Sequence, residues 1–128
     1  MRAYCDSSVL GDLLLDTRES RGTRDYLTSW QQQGSVATSR LTAVELGRFA
    51  MRESTSSTAS SLNVTALPLE FMAVSDSVLR RAASLPIPFL KSLDAIHIAS
   101  ALLVRADVVL TRDRQMQRAC EELGLAVA

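Results

Sequence analysis

Short apolar segments alternate with longer segments of helical periodicity along nearly the whole chain, and this alternation restricts the fold more than any other feature. When strands and helices alternate, the strands usually form a parallel sheet whose two faces are covered by the helices. We therefore predict an α/β protein with three layers, α/β/α, around a central parallel sheet of four to five short strands. The predicted strands are Arg2–Asp6, Ser35–Thr38, Asn63–Leu67, Asp107–Thr111 and Leu125–Val127.

Helices are predicted where apolar residues recur at three- and four-residue spacing between these strands. The segment Leu93–Arg105 is apolar on nearly all sides, so we expect this helix to be central and buried. The segment Ser54–Ser61 is rich in Ser and Thr and favours a loop or a frayed helix end. A length of 128 residues without internal repeats predicts a single domain over residues 1–128. One further helix is predicted to begin after a cap at Ser7 or Ser8. The other predicted helices are Arg18–Gln33, Leu41–Arg52, Leu69–Ala83 and Asp113–Leu123.

The composition is that of a globular protein, since 47% of the residues are hydrophobic and 14 basic residues balance 14 acidic ones. A net charge of zero excludes a global basic field, so any contact with nucleic acid must be local. Cys5 and Cys120 lack the spacing of a zinc site and are expected to be buried thiols in a reducing cytosol. No apolar run approaches the roughly 18 residues of a membrane span, and a charge comes too early for a signal peptide. We expect a soluble, cytoplasmic protein.

Four acidic residues lie where predicted strands end or predicted helices begin: Asp6, Glu45, Asp94 and Asp113. Groups near the carboxyl ends of parallel strands meet at one edge of the sheet, so these four carboxylates can share a cleft. Carboxylate oxygens are the preferred ligands of hard divalent cations such as Mg²⁺ or Mn²⁺. Because such an ion activates water and neutralises phosphate oxygens, the sequence indicates hydrolysis of phosphodiesters.

Each acid also has an ordinary structural explanation. Asp6 and Asp113 are both placed to cap the helix that follows them. Glu45 completes a capping box with Thr42 if Thr42 caps the helix, but it is free to face the cleft if Ser39 is the cap. The sequence leaves these alternatives open.

Asp94 opens the buried helix, where Ser92 can serve as the cap and the helix dipole favours an acid in the first turn. A charge on a helix that is apolar on most faces requires a strong partner, and a cation supplies one. We therefore favour a role in the site for Asp94. His97, one turn further on, is typical of a core histidine with satisfied hydrogen bonds, and a role as a ligand or in catalysis is the less favoured alternative.

Polar residues surround Asp113 in sequence. Thr111 ends a buried predicted strand, where its hydroxyl can orient a carboxylate or a metal-bound water. Arg112 and Arg114 flank the acid and are candidates for phosphate contacts, although we expect one of the two to lie on a solvated surface.

Four segments, in this order along the chain, resemble the PIN-domain family, and in particular the VapC-type toxins of bacterial toxin–antitoxin pairs. The resemblance runs from residue 4 to about residue 124 and is most specific in its last two segments. The Ser-rich region Arg52–Leu62 departs from the family, because relatives often carry a longer helical stretch there. The four segments are Asp6-Ser7-Ser8, Ser39–Leu46, Leu93–Ala101 and Thr111-Arg112-Asp113.

The resemblance implies a Mg²⁺- or Mn²⁺-dependent endoribonuclease with a parallel-sheet α/β/α fold. It implies that Asp6, Glu45, Asp94 and Asp113 form the metal site, with Asp113 acting partly through water. Thr111 and Ser7 would support the acids or position water. The resemblance also implies a homodimer, a cognate antitoxin of the VapB kind that holds the enzyme inactive, and a structured RNA as substrate.

Other families with small acidic α/β domains fit less well. A receiver domain requires paired acids after the first strand, but Asp6 is followed by Ser7-Ser8, and Lys91 precedes a helix rather than following a strand. A haloacid-dehalogenase-type phosphatase requires Asp-x-Asp, and position 8 is Ser. The remaining alternatives are a non-catalytic PIN-like module that binds RNA or a partner, and a structure-specific DNA nuclease.

Overall fold

The computed structural model describes residues 1–14, 18–53 and 67–128. Within them the sheet and helices follow the predicted alternation. The elements are β1 (Arg2–Cys5), α1 (Ser7–Leu10), a 3₁₀ turn (Gly11–Leu14), α2 (Arg18–Gln33), β2 (Ser35–Ser39), α3 (Arg40–Arg52), β3 (Glu70–Met72), α4 (Asp76–Ala83), α5 (Ser92–Leu103), β4 (Val108–Leu110), α6 (Arg114–Glu122) and β5 (Ala126–Val127).

All strand pairs in the sheet are parallel, and the strand order is β3-β2-β1-β4-β5. From β1 the chain first adds β2 and β3 on one side of β1. After α5 it adds β4 and β5 on the other side. The neighbours β1 and β4 mark the point where this direction reverses, and open α/β sheets bind ligands outside the carboxyl ends of the strands at such a point. The prediction of a three-layer protein with four to five short parallel strands is confirmed.

Two separate cores result because successive side chains of a strand point to opposite faces of the sheet. On β1, Ala3 and Cys5 face the first core while Tyr4 faces the second. The first core contains residues of α1, the 3₁₀ turn, α2 and α3, including Leu46. The second contains residues of α5 and α6. The helices thus form the two outer layers.

The helix α5 is buried along most of its length, as its apolar sequence predicts. Ile98, Ala99 and Ala101 are fully buried, and so are the polar residues His97 and Ser100. The cap differs from the expected one, because Lys91 precedes the helix without a side-chain cap and Ser92 is its first residue. This leaves the first-turn amides of α5 without a capping hydroxyl, close to Asp94.

The predicted helix Leu69–Ala83 is wrong over its first part. Glu70–Met72 is instead the strand β3, which pairs in parallel with β2 so that Phe71 lies beside Thr38. The helix α4 begins only at Asp76. Its N-cap is Ser75, whose hydroxyl accepts a hydrogen bond from the Val78 amide. The edge of β2 offers backbone hydrogen bonds to this segment, and this pairing determines its structure despite the helical spacing of its apolar residues.

Two other predictions fall on the region between α3 and β3. The predicted strand Asn63–Leu67 and the Ser-rich loop Ser54–Ser61 lie outside the described residues, apart from Leu67, which is not in a strand.

Both cysteines are buried free thiols, as expected. Burial raises the pKa of the Cys5 thiol well above its ordinary value and raises the pKa of Cys120 to about 11. Neither group is therefore a reactive thiolate at neutral pH. Among the helices of the described residues, none combines the length and the apolarity required to cross a membrane.

Candidate active site

The candidate residues gather at the carboxyl edge of the sheet, around the reversal between β1 and β4. Asp6 directly follows β1, and Thr111 directly follows β4. Glu45 is carried by α3, which begins where β2 ends, and Asp94 lies in the first turn of α5. Asp113 follows Thr111 and precedes α6. The topology therefore brings groups from five elements to one end of the molecule.

Asp6 is buried and both of its carboxylate oxygens accept hydrogen bonds. Its Oδ1 accepts from the Ser8 amide at 3.0 Å and from the Ser8 hydroxyl at 2.5 Å. Its Oδ2 accepts from the Thr111 hydroxyl at 2.5 Å. The amide contact makes Asp6 the N-cap of α1, so the structural explanation for this residue holds. Thr111 follows the neighbouring strand β4, so Asp6 also has a hydrogen-bond partner outside the helix that it caps.

Ser8 connects the first acid to the loop after β4. Its hydroxyl donates to Asp6 and accepts from the Arg112 amide at 2.9 Å. Sequence reasoning selected Ser7, which instead lines a cavity of about 310 Å³ beside the site. The signal for Ser8 was present in the sequence, since a hydroxyl two residues after a capping Asp is placed to reach its carboxylate.

The structure resolves the two alternatives for Glu45. Ser39 caps α3, because its hydroxyl accepts from the Leu41 amide at 3.0 Å. The Thr42 hydroxyl is buried and lies 2.8 Å from that of Thr38 in the core, so Thr42 does not cap the helix. Glu45 is therefore free of a capping box. It lies in the second turn of α3, partly exposed, beside the cavity lined by Ser7.

The Glu45 carboxylate contacts a buried histidine of α5. Its Oε1 lies 2.5 Å from Nε2 of His97, whose side chain is only 1% exposed. The other ring nitrogen, Nδ1, lies 2.7 Å from the hydroxyl of Tyr4, which is fully buried in β1. His97 is thus a satisfied core histidine, as expected, but one of its partners is a candidate site residue, which sequence reasoning missed.

Asp94 is partly buried near the other acidic residues of the site. Burial raises the pKa of its carboxyl, the neighbouring carboxylates Asp113, Asp6 and Glu45 raise it further, and only His97 opposes them. No side chain or amide of the described residues donates a hydrogen bond to Asp94. Asp94 therefore lies within electrostatic reach of the other three predicted acids.

Asp113 caps α6 through a single oxygen. Its Oδ1 accepts from the Gln115 amide at 2.8 Å and from the Met116 amide at 3.1 Å. Its own amide donates to the Thr111 hydroxyl at 3.1 Å. The predicted capping role is confirmed, and the second oxygen, Oδ2, stays available because no donor among the described residues contacts it.

The two arginines beside Asp113 have different surroundings. The Arg112 guanidinium is held by Asp12 in the 3₁₀ turn, and it donates to the Thr23 hydroxyl of α2 at 2.9 Å. Arg114 is exposed and makes no ion pair within the described part of the chain. Of the two candidates for phosphate contacts, Arg114 therefore has the free guanidinium.

The donor set is suited to a hydrated divalent cation rather than to a closed metal cage. Within residues 1–14, 18–53 and 67–128, no three His, Cys, Asp or Glu side chains are arranged to enclose an ion. However, Mg²⁺ keeps several waters and needs only one or two direct carboxylates. In the described part of the chain, no donor contacts the Asp94 carboxylate or Oδ2 of Asp113. Burial, together with the neighbouring carboxylates, raises the pKa of Asp94, so an added positive charge fits here.

Comparisons with known proteins show the family of this chain. The PIN domain family model matches residues 3–122, which is most of the chain. The chain is 30% identical over 128 residues to a protein named Ribonuclease VapC47 from Mycobacterium tuberculosis, covering 98% of this chain and 94% of that protein. It is 34% identical over 129 residues to Ribonuclease VapC35 from the same organism, covering 97% and 93% respectively.

Two solved structures are similar in fold. A toxin–antitoxin complex from Klebsiella pneumoniae matches with a TM-score of 0.66 and 25% identity, covering 87% of this chain and 86% of that one. VapBC2 from Rickettsia felis, bound to a DNA fragment from its promoter, matches with a TM-score of 0.72 and 14% identity, covering 100% and 98%. On the family match and on relatives that extend over nearly its full length, this chain belongs to the PIN-domain family.

Proposed function

We propose that this chain is a metal-dependent endoribonuclease, the toxin of a toxin–antitoxin pair, which hydrolyses RNA phosphodiester bonds. The observation that carries the proposal is the placement of Asp6, Glu45, Asp94 and Asp113, from separate elements, at one edge of the sheet. Burial of Asp94, together with the charges of the other three carboxylates, raises its pKa. The concentration of negative charge at this edge of the sheet is costly unless a cation compensates it. The names of the relatives, both ribonucleases, support the same activity.

We propose Asp6, Glu45, Asp94 and Asp113 as the residues that hold Mg²⁺ or Mn²⁺. Asp94 is the best direct ligand because no donor in residues 1–14, 18–53 and 67–128 competes for its carboxylate. Asp113 offers Oδ2, since Oδ1 is committed to the helix cap, and acts partly through water. The chemistry that such an ion supplies, when bound, is neutralisation of phosphate charge and activation of a water molecule.

The remaining site residues orient these groups and the substrate. Thr111 and Ser8 fix both oxygens of Asp6, so that carboxylate is set before any ligand arrives. Ser7 faces the cavity and positions water there. Arg114 contacts RNA phosphates with its free guanidinium, whereas Arg112 contributes by holding the loop that carries Thr111 and Asp113.

The proposal extends to partners and setting. The solved relatives are toxin–antitoxin complexes, which supports a cognate antitoxin of the VapB kind as the partner of this chain. We further propose that residues 1–128 form a single domain, that the chain forms a homodimer, and that it works in the cytoplasm. The single sheet that joins β1 to β5 supports the first of these.

The decisive experiment compares cleavage of total cellular RNA by wild type and Asp94→Asn, each with Mg²⁺ or Mn²⁺ and each with EDTA. Asp76→Asn is the matched control, because Asp76 also lies in the first turn of a helix but is not among the charges that act on Asp94. We expect discrete fragments from wild type and Asp76→Asn only when metal is present, and none from Asp94→Asn.

Single- and double-stranded DNA are tested with the same preparations. Metal-dependent cleavage of DNA with intact RNA would establish a DNA nuclease instead. A folded wild-type protein that binds RNA and leaves every substrate intact would establish a binding module.

A further inference from the structure

A chain of three polar side chains runs from the core of the sheet to the candidate site. The Tyr4 hydroxyl of β1 lies 2.7 Å from Nδ1 of His97, and Nε2 of His97 lies 2.5 Å from Oε1 of Glu45. Tyr4 and His97 are 0% and 1% exposed, whereas the Glu45 side chain is 23% exposed. This series of side chains therefore begins at fully buried groups and ends at a carboxylate that solvent reaches.

The position of the proton on Nε2 follows from the chemistry of the partners. A carboxylate can only accept, so Nε2 must carry the hydrogen that it donates to Glu45. Nδ1 faces the Tyr4 hydroxyl, and this contact holds the ring so that Nε2 points at Glu45. The Ser100 hydroxyl donates to the Ile96 carbonyl at 2.8 Å and is a further hydrogen-bond neighbour of the Tyr4 side chain.

Only one oxygen of Glu45 is used in this contact. No donor within the described residues reaches Oε2. A glutamate side chain with free rotation would sample many orientations, and fixing it beforehand removes an entropic cost from ligand binding. The His97 contact fixes Glu45 while leaving its second oxygen open.

We propose that His97 is a positioning residue that sets the Glu45 carboxylate for the metal, and that Tyr4 sets His97. The inference rests on the proposed metal-dependent function but adds residues that lie outside the four acids. Its basis is the pair of contacts in series, from a β-strand to a buried imidazole to an acid on a different helix, 52 residues away from His97. Outer partners of this kind typically change metal affinity or activity by about 10–100-fold when they are removed.

Three substitutions test the proposal. His97→Gln keeps an amide N–H near the position of Nε2, whereas His97→Leu fills similar space without a donor. Tyr4→Phe removes only the hydroxyl that sets the imidazole. Two readouts are measured for each protein: the Mg²⁺ concentration for half-maximal RNA cleavage, and the Mg²⁺ concentration for half of the metal-induced rise in Tm.

We expect His97→Gln to stay within a few-fold of wild type in both readouts. His97→Leu should require about 10–100-fold more Mg²⁺, and Tyr4→Phe should shift in the same direction by roughly 10-fold. The metal-free Tm of each variant is recorded separately, so a general loss of stability is not mistaken for a loss of metal affinity.

The inference is overturned if folded His97→Leu responds to Mg²⁺ as wild type does, or if His97→Gln is impaired as much as His97→Leu. Where His97→Leu does not fold, Tyr4→Phe decides: an unchanged Mg²⁺ requirement would overturn the inference and an increased one would support it. Wild type and Asp94→Asn in the same series separate the two proposals, because a wild type without metal-dependent cleavage contradicts the proposed function itself.

Discussion

Thr111 donates a hydrogen bond of 2.5 Å to Oδ2 of Asp6, across the pair of strands where the sheet reverses direction. The same hydroxyl oxygen accepts from the amide of Asp113. A single side chain thus connects the acid that follows β1 with the acid that precedes α6. Together with Ser8, which joins Asp6 to the Arg112 amide, this hydroxyl sets the relative position of the two carboxylates.

Replacing this hydroxyl tests the connection. We expect Thr111→Val, which keeps the shape of the side chain, to lower the free energy of unfolding by about 1.5–3 kcal/mol, because the buried Asp6 carboxylate loses a donor. RNA cleavage should fall in parallel. Urea denaturation measures the first effect, and Thr28→Val on the exposed side of α2 is the control. Full activity and stability in Thr111→Val would contradict the connection.

The raised pKa of Asp94 predicts a pH-dependent stability of the metal-free protein. Between the ordinary value of 3.8 and the raised pKa, the folded protein keeps a proton that the unfolded chain releases. Stability from this group is therefore fully present at low pH and is lost as the pH rises through that window. We expect Asp94→Asn to have a higher Tm than wild type at pH 7, with a difference that shrinks towards pH 3.8.

The measurement for Asp94 is a series of thermal unfolding curves in EDTA for both proteins. Mg²⁺ should reverse the order at pH 7, because only wild type gains stability from the metal. A Tm of Asp94→Asn below that of wild type in EDTA at neutral pH would contradict the electrostatic account.

Arg112 is predicted to act on stability. Its guanidinium joins the loop after β4 to Asp12 and Thr23, and its amide donates to Ser8. We expect Arg112→Ala and Asp12→Asn each to reduce the free energy of unfolding by about 1 kcal/mol, since the ion pair is partly exposed. The double variant should lose less than the sum of the two. Additive losses would show that the pair does not interact.

Arg114 is predicted to act on RNA binding without affecting stability. In an Asp94→Asn background with EDTA, Arg114→Ala should weaken RNA binding and lower the slope of log Kd against log salt by about 0.7 to 1. Arg105→Asn is the control, because it lies at the opposite end of the sheet, and Asn tolerates its φ of 55°. An equal effect of both substitutions would indicate non-specific charge attraction.

The parts of the fold that the sequence predicts well are those with strong local signals. The helix Arg18–Gln33 has the predicted bounds, because Gly34 ends it and a polar face runs along it. The strand β3 could not be predicted, since its three residues form a strand only through pairing with β2. The cap of α3 was ambiguous for a similar reason: the Thr42 hydroxyl is occupied by Thr38, a contact between β2 and α3 inside the core.

The site residues were likewise predictable from local signals, whereas their long-range contacts were not. The four acids were identifiable because each lies at an element boundary, which is a feature of the sequence itself. Their hydrogen-bond partners were not, because Thr111 reaches Asp6 over 105 residues and His97 reaches Glu45 over 52. Such contacts are determined by strand order and helix packing, and no local pattern reveals them.

The contact between His97 and Glu45 has a further consequence for the shape of the molecule. His97 belongs to the layer that packs on one face of the sheet with Ile98, whereas Glu45 is next to Leu46 in the layer on the other face. At the carboxyl edge, the two helical layers therefore contact each other directly as well as through the sheet. A molecule that separates the layers at this edge must first break the contact between His97 and Glu45. The width of the crevice and the orientation of the Glu45 carboxylate therefore change together.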